Sequence, residues 1–233
     1  MLKTLIFDFD GLILDTETSA LQSWQEIYSS YQVDFPLEKW MSGLDGSDES
    51  FPTYEYLVEQ VTQPLLYEEV IAKRRQRHLE LIGTKAALPG VLDYLTTAKR
   101  LGLRIGLASS SSREWVAGHL SRLGLYAYFD VLCCGDEVVH RKPYPDVYLA
   151  VLKALDTPAN QAIALEDSAT GLRAAQQAGL FCVVIPNALI AHLSLAHADL
   201  RLQSLTEMPL EDVIAVFERR QVAAKKDLLD SVR

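Results

Sequence analysis

Short apolar runs, each too brief for a helix, punctuate the chain and alternate with stretches whose apolar residues recur at helical spacing. The first is residues 1–7 (MLKTLIF), which stops at Asp8-Phe9-Asp10-Gly11. Others fall at 104–108, 131–134, 162–165 and 181–185. Apolar runs of this length, bounded by turn residues, predict buried strands. Between them the spacing predicts helices over 91–101, from the serines at 109–112 to about 123, over 145–155 and over 171–178. Gly102 and Gly124 stand where helix stops are expected. Strands alternating with helices predict βαβ crossovers and a parallel sheet. Strands that are apolar throughout predict a sheet covered on both faces.

Residues 16–84 follow another pattern. Their spacing is helical, with breaks at Pro36, Gly43, Gly46, Pro52 and Pro64, and no run there predicts a strand. Acidic residues outnumber basic ones in this stretch. The chain therefore divides into an α/β core (1–15 and 85–233) and a helical insertion (16–84). Trp24, Tyr28, Tyr31 and Trp40 are expected to fill the insertion's own core. The basic run from Lys73 to His78 reads as a solvated helix face, with Glu69 and Lys73 at the spacing of a weak i,i+4 pair. The other reading of that run is a grip on a second anionic group of a substrate.

Open parallel sheets bind ligands beyond the carboxyl ends of their strands. The polar residues just after the predicted strands are Asp8 and Asp10, then Ser109, then Lys142, then Glu166 and Asp167. Carboxylates, a hydroxyl and an ammonium on one edge suit a hard cation such as Mg²⁺ and a phosphoryl group. Two aspartates two apart on extended chain point the same way. One can attack phosphorus while its partner moves protons, which splits one hard step into two easier ones. Attack by an anion on an anion needs fixed positive charge. Gly11 permits a tight turn and a close backbone approach.

Four segments carry a family resemblance: DFDGLILDTE (8–17), GLASSSS (106–112), RKPYPD (141–146) and ALEDSATG (164–171). In this order and spacing they resemble the haloacid dehalogenase (HAD) superfamily of aspartate-nucleophile phosphotransferases. The branch is the one that includes small sugar-phosphate phosphatases and β-phosphoglucomutase. The resemblance implies a Rossmann-like core with a helical cap inserted after the first strand. It implies Asp8 as nucleophile, Asp10 as general acid and base, Ser109 as a ligand of the phosphoryl oxygens, and Lys142 as a bridge between Asp8 and phosphate. It implies Mg²⁺ held by Asp8, Asp167 and the backbone carbonyl of Asp10, with Glu166 ligating directly or through water. Ser110 and Ser111 are candidates for further contact with the phosphate, and Ser112 for a helix cap. Thr16 and Glu17 stand where the chain enters the cap, as a hinge, a helix cap or a substrate contact. The implied activity is hydrolysis of a small phosphorylated metabolite, a sugar or polyol phosphate, with a phosphosugar mutase as the alternative. Against the mutase, Ala20 stands where that pattern has a histidine. Residues 41–48, where it has a cationic grip, carry Asp45 and Asp48 and no cation.

Composition changes this picture little. The chain has 233 residues, of which 49% are hydrophobic and 23% charged, values of an ordinary globular protein. Its net charge of −9 lacks the basic footprint of a nucleic-acid or anionic-membrane binder. No stretch has the length of a membrane span or a signal-peptide core. Three cysteines (Cys133, Cys134 and Cys182), an odd number without metal-ligand spacing, predict buried thiols in a reducing, cytoplasmic compartment. The five histidines form no ligand pair, and His140 is expected to be structural or solvated. No motif announces an oligomer, so a monomer is expected.

Overall fold

The computed structural model describes residues 1–43, 51–187, 189–191, 195 and 197–231, the last of these from 224 on as backbone alone. Its centre is a six-stranded parallel sheet of the Rossmann-like kind. The strands are β1 (Thr4–Phe7), β2 (Arg104–Ala108), β3 (Val131–Cys133), β4 (Ala162–Glu166), β5 (Phe181–Val184) and β6 (Leu200–Arg201). Their order across the sheet is β3-β2-β1-β4-β5-β6, every neighbour parallel. The chain thus reverses its winding beside β1, which puts the crevice between the carboxyl ends of β1, β2 and β4.

Alternation along each strand fills two apolar layers. Leu5 and Phe7 point into one, with Ile105, Leu107, Ile163 and Leu165. Ile6 points into the other, with Ala108, Ala164 and Cys182. Helices α5 (Val91–Arg100), α6 (Arg113–Arg122) and α9 (Leu210–Ser231) bring residues such as Leu95, Val116 and Phe217 to the first layer. Helices α7 (Asp146–Ala154) and α8 (Ala169–Gln177) cover the second through Val147, Val151 and Leu172. Both faces being covered is why the strands carry no polar alternation. All three cysteines are free and buried in these layers, and burial pushes their thiols up.

Among the described residues, four further helices lie between β1 and α5: α1 (Glu17–Ser30), α2 (Leu37–Ser42), α3 (Thr53–Gln60) and α4 (Tyr67–Gly83). Of these, α1, α3 and α4 close over their own cluster of Ile27, Tyr28, Leu57 and Val70, flanked by Trp24 and Tyr31. The Tyr28 hydroxyl donates to the Thr53 carbonyl at 2.6 Å. Trp40 is only partly covered, against Phe35. The basic run on α4 is not a free face. Arg77 is ion-paired to Glu26 of α1 at 2.6 Å, and Arg74 donates to Ser23 at 3.1 Å. Lys73 and Glu69 form no ion pair; both are exposed, where water screens the attraction and leaves little to order two long side chains. The chain leaves the sheet through Asp15 and returns through Lys85, and those two side chains meet at 2.6 Å.

Candidate active site

The carboxyl ends of the strands hand the backbone straight to the site. The Asp8 amide continues the ladder to the Leu165 carbonyl at 2.9 Å, and the Ser109 amide continues it to Cys133 at 3.1 Å. Asp8, Ser109, Glu166 and Asp167 are consequently fixed by the sheet itself, and all four are buried. Lys142 arrives from the loop between β3 and α7. Its Nζ lies 2.5 Å from Asp8 Oδ1 and 2.6 Å from Glu166 Oε1, with only 4% of the side chain exposed. The Tyr148 hydroxyl of α7 donates to the same Glu166 oxygen.

Three carboxylates, Asp8, Glu166 and Asp167, present oxygens all within 4.8 Å of one another. Burial pushes the Asp8 carboxyl up to about 8, with the Lys142 ammonium pulling the other way and Glu166 adding to the rise. Asp167 is raised well above the carboxylate range by burial, then by Asp8 and Glu166. Burial opposes the charge on Lys142, yet Asp8 and Glu166 together hold that ammonium above its ordinary range. One ammonium faces three crowded carboxyls, so the cluster is short of positive charge. That donor set, hard oxygens in a buried pocket, is the chemistry of a divalent cation site.

Two glycines make room for it. Gly11 has φ +82°, and a Cβ there would stand 1.9 Å from Asp167 Oδ2. A Cβ on Gly171, in the first turn of α8, would stand 1.9 Å from Glu166 Oε2. Asn187, just beyond β5, donates to Asp167 Oδ2 at 2.8 Å and fixes its orientation.

Asp10 is held differently. Its Oδ2 accepts from Ser111 Oγ at 2.6 Å and from Ser109 Oγ at 3.5 Å. Its Oδ1 accepts from the indole Nε1 of Trp115 at 3.0 Å. Ser112 caps α6, its hydroxyl accepting the Trp115 amide at 3.3 Å.

A cavity of about 230 Å³ gathers Asp8, Asp10, Glu17, Ser109, Ser110, Lys142 and Asp167 along its wall, together with Ser168, Thr170 and Asn187. Seven of the residues singled out from the sequence therefore share one space. Two do not line it. Glu166 lies beneath Lys142, fully buried. Thr16 turns its hydroxyl into a buried spot without a partner, while its carbonyl bonds His78 Nε2 at 3.2 Å. The cap of α1 is supplied by Asp15, whose Oδ1 accepts the Thr18 amide at 3.0 Å. Thr16 misses that role because its own backbone is already helical, and a capping side chain has to reach forward from an extended residue. Glu17 does face the cavity, and burial, then the charges of Asp10 and Asp15, push its carboxyl up to about 7. His140 sits outside, its ring 3.2 Å from Asp146. Of residues 41–48, Gly43 touches the cavity and residues 44–48 lie outside the described residues.

Sequence reasoning missed Trp115, Tyr148 and Asn187. Asn187 follows a strand end closely, so the rule that found the others would have found it. Trp115 and Tyr148 are helix residues whose direction no linear pattern discloses.

Known proteins resemble this chain in sequence and in fold. A family model described as haloacid dehalogenase-like hydrolase matches residues 5–185. The YhcW protein of Bacillus subtilis (strain 168) is 44% identical over 210 residues, 90% of this chain and 95% of that protein. Hexitol phosphatase B of Escherichia coli (strain K12) is 28% identical over 211 residues, 90% of this chain and 95% of that protein. The crystal structure of CbbY from Rhodobacter sphaeroides in complex with phosphate superposes with a TM-score of 0.70 at 31% identity, covering 89% of this chain and 96% of that one. With the motif residues gathered on one sheet edge and relatives of matching length, the chain belongs to the haloacid dehalogenase-like hydrolases and is a phosphatase-type enzyme of that family.

Proposed function

We propose that this enzyme is a Mg²⁺-dependent phosphatase of small sugar or polyol phosphates, working through a phosphate ester on the Asp8 carboxylate. The observation that carries the reading is the Lys142 ammonium bonded to Asp8 and braced by Glu166 at the wall of a cavity that also holds Ser109 and Ser110. An anionic phosphate entering that cavity would meet a fixed cation beside its nucleophile. Ser109 and Ser110 are the donors for the phosphoryl oxygens. In the first half-reaction Asp8 attacks phosphorus and the ester bond to the leaving alcohol breaks. Asp10 gives that oxygen a proton. In the second half, Asp10 takes a proton from water as the water attacks phosphorus, releasing inorganic phosphate and free Asp8. Such acid and base assistance contributes about 10²–10⁴ in rate.

The buried, mutually crowded carboxyls fit a magnesium ion, which Asp8, Asp167 and the Asp10 carbonyl would hold. Bound there it would withdraw charge from the phosphoryl group and offset the repulsion between two anions. Glu166 would act one step out, because its Oε1 is already committed to Lys142 and Tyr148.

Helices α1–α4 would serve as the cap, closing the cavity and excluding water. Glu17, on α1, is the cap group facing the substrate. A carboxyl pushed up to about 7 can accept from or donate to a hydroxyl, which suits a polyol and repels a second phosphate. The named activity of the hexitol phosphatase relative supports the same class.

The test is phosphate release from a panel of sugar, polyol, glycolate and nucleotide phosphates, with Mg²⁺ and with EDTA. Metal-dependent release from one or a few polyol or sugar phosphates is expected. Conversion of a hexose 1-phosphate into its 6-phosphate without free phosphate would replace this reading with the mutase.

A further inference from the structure

Asp10 has two oxygens, and their partners differ in kind. An indole N–H can only donate a hydrogen bond, whereas a serine hydroxyl can donate or accept. Oδ1 faces the Trp115 Nε1–H at 3.0 Å. It must therefore be an acceptor whether Asp10 is charged or neutral, and a proton there would collide with the indole hydrogen. Oδ2 faces the Ser111 and Ser109 hydroxyls at 2.6 and 3.5 Å, which can turn to suit either state. Asp10 and Ser109 line the cavity whereas Trp115 and Ser111 do not, so of the two oxygens it is Oδ2 that has a partner on the cavity wall.

The indole is itself held by two histidine rings. The His119 ring, one turn along α6, meets it edge-on with centroids 4.4 Å apart. The His78 ring of α4 also meets it, with centroids 5.7 Å apart and tilted by 31°. The His78 Nε2 in turn bonds the Thr16 carbonyl at 3.2 Å, at the point where the chain enters α1. Helix α4 thus reaches Asp10 through the Trp115 indole.

We infer that Trp115 is a positioning residue: its indole N–H pins Oδ1 of Asp10 so that Oδ2 is the oxygen that gives and takes the proton, and α4 seats that indole through His78. The inference rests on the phosphatase reading and adds to it a link between the cap and the proton-transfer group. Trp115 touches no reacting atom. Its loss leaves Asp8, Lys142 and the metal ligands in place and frees Asp10 to rotate away from the leaving oxygen.

Leaving-group dependence separates this role from a structural one. Formation of the phosphoenzyme from an alkyl phosphate needs a proton on the departing alkoxide. Formation from p-nitrophenyl phosphate does not, since the phenolate leaves unaided. We expect Trp115→Phe to lower kcat/KM on the best sugar or polyol phosphate by about tenfold, a fraction of the full acid contribution, and on p-nitrophenyl phosphate by less than about threefold. His78→Ala, which leaves the indole intact, should show the same contrast with smaller amplitude. It also keeps the test alive if Trp115→Phe does not fold. Equal losses on both esters, or none on either, would overturn the role of Trp115 while wild-type turnover of both left the phosphatase reading standing. A wild-type enzyme that releases phosphate from neither ester would remove the phosphatase reading itself, and this inference with it.

Discussion

Lys142 and Glu166 are joined at 2.6 Å in the floor of the site, and the same ammonium reaches Asp8 at 2.5 Å on its other side. Removing one partner from such a buried cluster leaves like charges facing each other, at a cost of about 3–5 kcal/mol. Lys142→Ala should therefore lose activity and also lose about that much stability at pH 8, measured by urea unfolding. Without the ammonium, the crowded Asp8 and Asp167 carboxyls stay above the ordinary carboxylate range in the folded state. Groups raised on folding cost stability that grows as pH rises, so the deficit should shrink at pH 5. A variant as stable as wild type at pH 8 would mean the charges are not in contact.

Gly11 is where the turn after β1 passes over Asp167, the proposed metal ligand. Its φ of +82° and the 1.9 Å clearance to Asp167 Oδ2 leave no place for a methyl group. Gly11→Ala should displace Asp167 and its Asn187 partner. The expected result is a Mg²⁺ requirement raised by about 10–100-fold, the scale seen when groups that orient metal ligands are lost. Magnesium titration of phosphate release measures it, and an unchanged half-saturating concentration would count against Asp167 as a ligand.

Asp10→Asn keeps the shape and the acceptor oxygen for Trp115 but cannot transfer a proton. A loss of about 10²–10⁴ in kcat is expected, with the overall fold kept by circular dichroism. If KM alone rose, Asp10 would be a binding group.

Much of this site could be read from the chain because a parallel sheet converts sequence order into position. Asp8, Ser109, Glu166 and Asp167 follow strands whose register is shared, so being next after a strand means being at one edge. Lys142 was legible from its motif, though its second partner, Glu166, was not. β6 went unseen because it is two residues long and ends in Arg201. The role of Thr16 stayed open between hinge, cap and substrate contact because Asp15 and Thr16 are both capping types, and only backbone conformation separates them. Trp115 depends on the direction of a side chain from the first turn of α6, which no spacing rule conveys.

Glu17 offers a pH test of the cavity wall. Its carboxyl is pushed from 4.5 up to about 7 on folding, first by burial and then by Asp10 and Asp15. A raised carboxyl costs nothing below its unfolded value, and the cost grows from about pH 4.5 to pH 7 and is complete above. Glu17→Gln should therefore melt several degrees higher than wild type at pH 8, and equally with wild type at pH 4.5. An equal gain at both pH values would mean the effect is packing and not charge.

The central claim is that phosphate passes through Asp8. Mixing enzyme with its best phosphate ester, quenching in acid within milliseconds and mapping phosphate by peptide mass spectrometry tests it directly. Phosphate is expected on the peptide bearing Asp8, at higher occupancy in Asp10→Asn, where base assistance to the hydrolytic water is lost, and none in an inactive but folded Asp8→Asn. Turnover by Asp8→Asn at the wild-type rate, or phosphate trapped on another residue, would contradict it.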